Sequence, residues 1–397
     1  MTDGEAEVVD LGAYEGFTTD PHRVYATLRT HAPLHRVRFP PPDHEHVHYL
    51  VVGHEEARAA LADPRLTKSA AHLAFATPDE EWIGPHLLTV DPPHHTRLRS
   101  LVAREFTTRR VQALRPRIQH ITDGLLDAML AAGDRADLVE ALALPLPMTV
   151  ICELLGVPEI DRAEFHRMSA ESVTPTTEVW DSTVYAELAA YLDALIRAKR
   201  KAPGDDLLSA LIRTRAEDGD RLSPEELRGM AYLLLVAGHE TTVHLITNTV
   251  HALLTHPRQL AALRADTDLL DGAVEEGLRY DGPVENATYR FTTEPTEIAG
   301  TWIPEGSVVV VGLTAADRDP EKYAAPDEFD IRRAPQGHVA FGHGIHFCLG
   351  APLARLEGRI ALASLLERCP GLALDGTPTD WRPGLLIRGL RRLDVRW

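Results

Sequence analysis

Between Pro224 and Pro257 the chain contains no proline, and this uninterrupted run constrains the fold more than any other feature. It opens with Ser223-Pro224-Glu225-Glu226: a Ser N-cap, Pro at the first helical position and Glu at the third, the signature of a capping box. The spacing predicts one helix of about 30 residues and ~45 Å, long enough to cross a whole domain. Its middle, LLLVAGHETTVHLI, is apolar on most sides, as in a helix enclosed by a core. Yet Gly238, Glu240, Thr241 and Thr242 fall in that middle. A glycine there costs about 1 kcal/mol relative to alanine, and threonine hydroxyls compete for backbone carbonyls. Taken alone, the segment fits a tolerated kink with polar groups facing solvent as well as it fits a site.

Around this helix the periodicity is helical from about Pro21 to Tyr280. His48–Val52 and Ser307–Leu313 read as strands, and glycine and proline become denser from Asp281 to Gly350, where short strands and loops are expected. The fold class is therefore mainly α with small β-sheets. A formal charge of −18 over 397 residues argues against a nucleic-acid partner or an anionic membrane surface. Three cysteines, Cys152, Cys348 and Cys369, lie too far apart for a CxxC pair or a disulfide framework. The first 20 residues carry six acids and no base, unlike a secretory signal, and no apolar run approaches a membrane span of roughly 18 residues. A cytoplasmic protein is expected.

Chemistry concentrates in Phe341-Gly342-His343-Gly344-Ile345-His346-Phe347-Cys348-Leu349-Gly350, followed by Ala351-Pro352-Leu353-Ala354-Arg355. Three glycines in ten residues describe a tight loop entering a helix. A lone cysteine is ordinarily a small buried hydrophobe. The glycine spacing is neither a Walker loop nor a dinucleotide fingerprint, and one cysteine is too few for structural zinc or an iron–sulfur cluster. A thiolate ligand to a flat metal cofactor fits better, because glycines let backbone N–H groups approach the sulfur and tune the metal.

The pattern FxxGxHxCxG, present as Phe341, Gly344, His346, Cys348 and Gly350, resembles the haem-ligand loop of the cytochrome P450 family. Four further segments follow that family's order. Ala237-Gly238-His239-Glu240-Thr241-Thr242 resembles its oxygen-activation segment, and Glu276-Gly277-Leu278-Arg279 its ExxR helix. Phe329-Asp330-Ile331-Arg332-Arg333 resembles the segment with the partner arginine, and Asp91 to Arg99 the bacterial haem-propionate segment. The resemblance extends from Pro21 onward and is closest to actinobacterial enzymes that oxidise macrolides and other polyketides. It implies heme b (iron protoporphyrin IX) with Cys348 as the iron's thiolate, and His95, Arg99, Arg290 and His346 on the haem propionates. Ala237 and Gly238 would flank the haem, Gly238 letting the helix open for dioxygen. Thr241 and Glu240 would deliver protons, although an ion pair is nearly as good an account of Glu240. Glu276, Arg279 and Arg333 would form a buried structural cluster. His239 is left without a role.

Length alone favours two or three domains. His95 and Cys348, however, are 253 positions apart and would touch one haem, which predicts a single domain over 21–397 behind an acidic segment, 1–20. The expected activity is monooxygenation with O2, by hydroxylation or epoxidation, of a bulky apolar natural product. A macrolide or polyketide is the first expectation, a terpenoid, fatty acid or peptide the alternatives. Leu234, Ala237, Val284, Ala287 and Ile387 would line the pocket, with Ala70–Leu88 and Glu171–Trp180 as lids. No flavin or nicotinamide domain is evident, so electrons are expected from a ferredoxin and an NAD(P)H-dependent ferredoxin reductase. Arg97–Arg117, with seven arginines and the single acid Glu105, is either the basic face of a surface helix or the docking patch. A monomer is expected. A non-catalytic haem sensor would need no Glu240–Thr241 relay, and a zinc hydrolase finds only His44, His46 and His48, which alternate as on a solvated edge strand.

Overall fold

The capping box forms as the sequence predicts: Ser223 Oγ accepts from the Glu226 N–H at 3.1 Å, and Glu226 Oε2 accepts from the Ser223 N–H at 2.8 Å. The helix it starts is unbroken over Pro224–Thr255, 32 residues. The computed structural model describes residues 7–41, 44–69, 82–158, 162–173, 182–214, 219–333, 337–377, 380–382 and 385–397. Helices Pro145–Leu155, Leu270–Asp281 and Ala351–Arg368 pack around the central one. Its first half, through Leu235, belongs to one apolar core with Leu188, Leu192 and Leu208. From Val243 on it belongs to another, with Leu278, Ile360 and Leu365. The join between the two cores falls on the polar segment in the helix middle.

The strands are β1 (Val8–Asp10), β2 (Leu34–Arg38), β3 (His48–Val51), β4 (Leu66–Thr67), β5 (Arg135–Asp137), β6 (Arg290–Thr292), β7 (Thr296–Ile298), β8 (Thr301–Ile303), β9 (Val308–Val311), β10 (Ala373–Leu374) and β11 (Asp394–Arg396). Six form one sheet in the order β1-β2-β3-β9-β6-β4. Strands from residues 8 to 311 share it, so the chain is interleaved rather than divided in sequence. Both expected strands are present as β3 and β9, paired in parallel with Leu50 opposite Val310.

Within the first 20 residues, Val8–Asp10 pairs with β2, and Leu11 and Phe17 are buried in the core. One expectation is corrected. The three alternating histidines do not share an edge strand. His44 and His46 precede β3, and His48 is buried on a strand flanked on both sides, its ring against Phe39 and Tyr289. Among the described residues no group of three or more His, Cys, Asp or Glu is placed to hold a metal ion. None of their helices is long and apolar enough to cross a membrane.

Candidate active site

Cys348 ends a loop built on left-handed glycines. Gly342 and Gly344 both adopt φ 72°, and a Cβ on Gly344 would stand 3.1 Å from the Leu61 carbonyl oxygen. The Cys348 N–H donates to the Phe341 carbonyl at 2.9 Å, closing the loop. The N–H groups of Gly350 and Ala351, at the start of the helix Ala351–Arg368, point at the sulfur. Cys348 is exposed, but protein atoms surround its sulfur closely. Burial therefore pushes its thiol up, against the two N–H groups and the Arg99 and Arg355 guanidiniums, which favour the thiolate.

The central helix is enclosed on either side of its middle, yet Ala237 is exposed and Leu234, Gly238 and Thr241 are only half-buried. At spacings of three, four and seven these four form one open stripe. Thr241 Oγ1 donates to the Ala237 carbonyl at 2.9 Å. The helix does not open at Gly238: a Cβ there would lie 2.9 Å from Ile151 Cδ1, so the missing side chain serves close helix packing. Glu240 is buried and ion-paired, Oε1 3.3 Å from His239 Nε2 and Oε2 3.6 Å from Arg382 Nη1. Burial alone would raise its carboxyl; His239, Arg382 and His244 outweigh that and hold it down at about 2.

A second recess gathers cations. His95 and His346 lie ring to ring, centroids 4.4 Å apart, and His95 Nε2 is buried with no hydrogen-bond partner. Arg290 is buried, Nη2 donating to the Leu61 carbonyl at 3.2 Å, and burial lowers it to about 10 despite Asp91. Lys68 is buried too; its ammonium donates to the Thr288 hydroxyl and to the carbonyls of Thr288 and Tyr289, both at 2.8 Å. Burial, followed by the charges of Lys68, Arg290 and His95, lowers His346 to about 3. Asp91 is the acid beside this group, and it is already engaged by the Thr67 hydroxyl and the N–H groups of Lys68 and Ser69. Arg99 turns to the cysteine loop, Nη2 donating to the Phe347 carbonyl at 2.7 Å.

Beneath the loop lies the expected cluster. Arg279 and Glu276 are fully buried and bidentate, both contacts 2.8 Å, with Arg333 Nε 3.3 Å from Glu276 Oε1. Arg279 also donates to the carbonyls of Asp317, Pro326 and Glu328. The Asp317 side chain accepts from the Val339 N–H at 2.7 Å, which carries the support into the residues just before Phe341. Beside it, Glu275 binds Arg355 at 2.5 and 2.9 Å, and Arg355 lies over the Phe341 ring at 4.5 Å.

The remaining predicted residues divide between two walls. Leu234 packs with the helical core, whereas Val284 and Ala287 pack on the sheet core, where Val284 and the buried Ile387 form an antiparallel bridge. Most of both expected lids, residues 70–81 of the first and 174–180 of the second, lies outside the described residues. The arginine patch is weaker than its sequence suggests. Arg97 pairs with Glu226 and Asp220, Arg110 with Glu105, Arg117 with Glu153, and Arg99 faces inward. Lys68, Asp317 and Glu275 escaped the sequence reading. Only Glu275, adjacent to the ExxR glutamate, carried any local signal.

A cytochrome P450 family model matches residues 177–379. The whole chain is 58% identical to the cytochrome P450 monooxygenase PikC of Streptomyces venezuelae, covering 96% of that protein. It is 45% identical to the 6-deoxyerythronolide B hydroxylase of Saccharopolyspora erythraea, over 96% of this chain and 97% of the relative. The solved structure of the P450 monooxygenase TamI with tirandamycin C bound matches with a TM-score of 0.88 at 42% identity, covering 98% of this chain and 99% of that one. The chain belongs to the cytochrome P450 family, and is a haem-dependent monooxygenase. Its own residues fit that cofactor. An orphaned His95 nitrogen and buried cations with one occupied acid suit a doubly anionic group, and a sulfur met by two N–H donors suits an iron ligand.

Proposed function

We propose that this enzyme inserts one oxygen atom from O2 into a C–H bond or alkene of a macrolide or related polyketide in the cytoplasm, and that Cys348 would hold the haem iron as its thiolate ligand. Buried Arg290, with no ion-pair partner among the described residues, and the orphaned His95 nitrogen beside it carry this assignment of the site. His95, Arg290 and His346 would hold the propionates, with Lys68 packed behind them. Arg99 serves mainly to fix the Phe347 carbonyl, one residue before the ligand. Phe341, Gly344 and Gly350 shape the loop, while Ala237 and Gly238 border the haem face. Haem held there supplies the iron centre at which dioxygen is reduced.

The chain's own task is proton delivery and substrate placement. Thr241 already donates to the Ala237 carbonyl, which leaves its oxygen lone pairs free to accept. Glu240 sits next in sequence, anionic and tied through Arg382, a quarter exposed, toward solvent. Together they form a two-member relay to the open stripe. Thr241→Ala should keep substrate binding but divert reductant into peroxide; tightly coupled product formation by that variant would remove Thr241 from the relay.

Apolar walls from Leu234, Ala237, Val284, Ala287 and Ile387 suit a large hydrocarbon-rich substrate, and the likeness to the 6-deoxyerythronolide B hydroxylase supports the macrolide class. Titrating the ferric protein with a panel of macrolactones, terpenoids and fatty acids, and following the spin-state shift, tests it. Macrolactones should shift the spectrum at the lowest concentrations; preference for a fatty acid or terpenoid would contradict the class. Electrons are supplied by a ferredoxin and its NAD(P)H-dependent reductase, docking near Arg104 and Arg109.

A further inference from the structure

His239 lies fully buried at the centre of the central helix, between the two cores. Its Nδ1 is 2.9 Å from the Leu235 carbonyl oxygen. A carbonyl only accepts, so Nδ1 carries a hydrogen. Its Nε2 is 3.3 Å from Glu240 Oε1, in ion-pair contact without good hydrogen-bond alignment. A neutral imidazole with its hydrogen on Nδ1 would turn a lone pair toward that oxygen, setting two acceptors against each other. In a buried setting such a contact is costly. One proton between them makes it attractive.

We propose that His239 and Glu240 hold one proton in common at neutral pH, imidazolium beside carboxylate, so that His239 is a positioning residue keeping Glu240 loaded for Thr241. The surrounding charges favour that microstate. Arg382 faces the other carboxylate oxygen at 3.6 Å and favours the anion. His244, one turn along the helix, is lowered to about 4 by burial and then by Arg382, so it stays neutral and does not compete. Glu240 is itself held low by His239, Arg382 and His244 against the effect of burial. Because His239 is sealed from solvent while Arg382 is partly exposed, the histidine stores the proton and exchange runs past Arg382.

This inference deepens the relay reading but is tested apart from it. The reduced, carbon-monoxide-bound holoenzyme is diamagnetic, so nitrogen NMR of histidine-labelled protein reads each imidazole. One histidine should be doubly protonated at neutral pH. Its signal should vanish in His239→Gln and move to that of a neutral imidazole in Glu240→Gln. A neutral His239 near neutral pH in the wild type, or an unchanged signal in Glu240→Gln, would overturn the proposal. Should His239→Gln fail to fold, Glu240→Gln still decides. If Thr241→Ala remains coupled while the shared proton is found, the relay reading fails with the positioning role drawn from it, and only the shared proton stands.

Discussion

Two groups of buried charge lie on either side of the cysteine loop, and they are built in opposite ways. Around Glu276, all five guanidinium donors of Arg279 are used, two on the carboxylate and three on main-chain carbonyls, and Arg333 adds its own. Around His346, buried Arg290 has no ion-pair partner among the described residues, Lys68 is held by neutral oxygens, and His95 Nε2 is unsatisfied. Burying charge without a counter-ion is expensive. The first group is a strut that supports the loop through Asp317 and Val339; the second has no counter-ion of its own, which suits the anion-binding role proposed for it.

Breaking the strut should have the largest effect. Glu276→Gln leaves the buried Arg279 and the half-buried Arg333 without their shared anion and should cost about 3–5 kcal/mol, seen in urea unfolding of the loaded enzyme as a collapse of its midpoint. Arg290→Ala should behave differently. Haem transfer to an acceptor protein should accelerate about 10–100-fold, while the unfolding midpoint before transfer changes little. If Arg290→Ala instead destabilises the fold as Glu276→Gln does, the two groups are alike and the contrast fails.

A third buried charge sharpens the comparison. Glu357 is buried with Oε2 unpartnered, and burial raises its carboxyl to about 8 from 4.5. Folded protein thus keeps the proton that unfolded protein loses, so the group favours folding below about 4.5 and loses that contribution as pH rises toward 8. Glu357→Gln should therefore match wild type at acidic pH and exceed it by about 1–3 kcal/mol near the upper end, checked by thermal unfolding at both pH values. The smallest effect is expected at the surface. Arg109→Glu should slow reduction by ferredoxin several-fold at low salt, fading as salt rises, in stopped-flow reduction; an unchanged rate would leave the patch without a docking role.

Much of this was legible in the residues, and the reasons are local. The central helix announces itself through Ser223 and Glu226, which act within one turn, and the cysteine loop through glycines whose φ 72° no other residue adopts easily. Glu276 and Arg279 sit three apart on one helical face. What escaped depends on distant partners. Lys68 follows a two-residue strand with nothing nearby to mark it, and its role comes from Thr288 and Tyr289, some 220 positions away. Asp317 matters only because Arg279 reaches its carbonyl and Val339 its carboxylate. Gly238 was misread for the same reason: its meaning lies in Ile151, on another helix. The arginine patch was overestimated because Glu226, Asp220 and Glu153 are remote in sequence yet neutralise it.

The central claim is that the sulfur of Cys348 is the haem iron's protein ligand. The carbon-monoxide difference spectrum of the reduced enzyme, recorded for wild type and Cys348→His, tests it most directly. Wild type should show the red-shifted band of thiolate-ligated haem, and the variant should retain haem but lose that band. A Cys348→His protein that keeps the wild-type band would contradict the account.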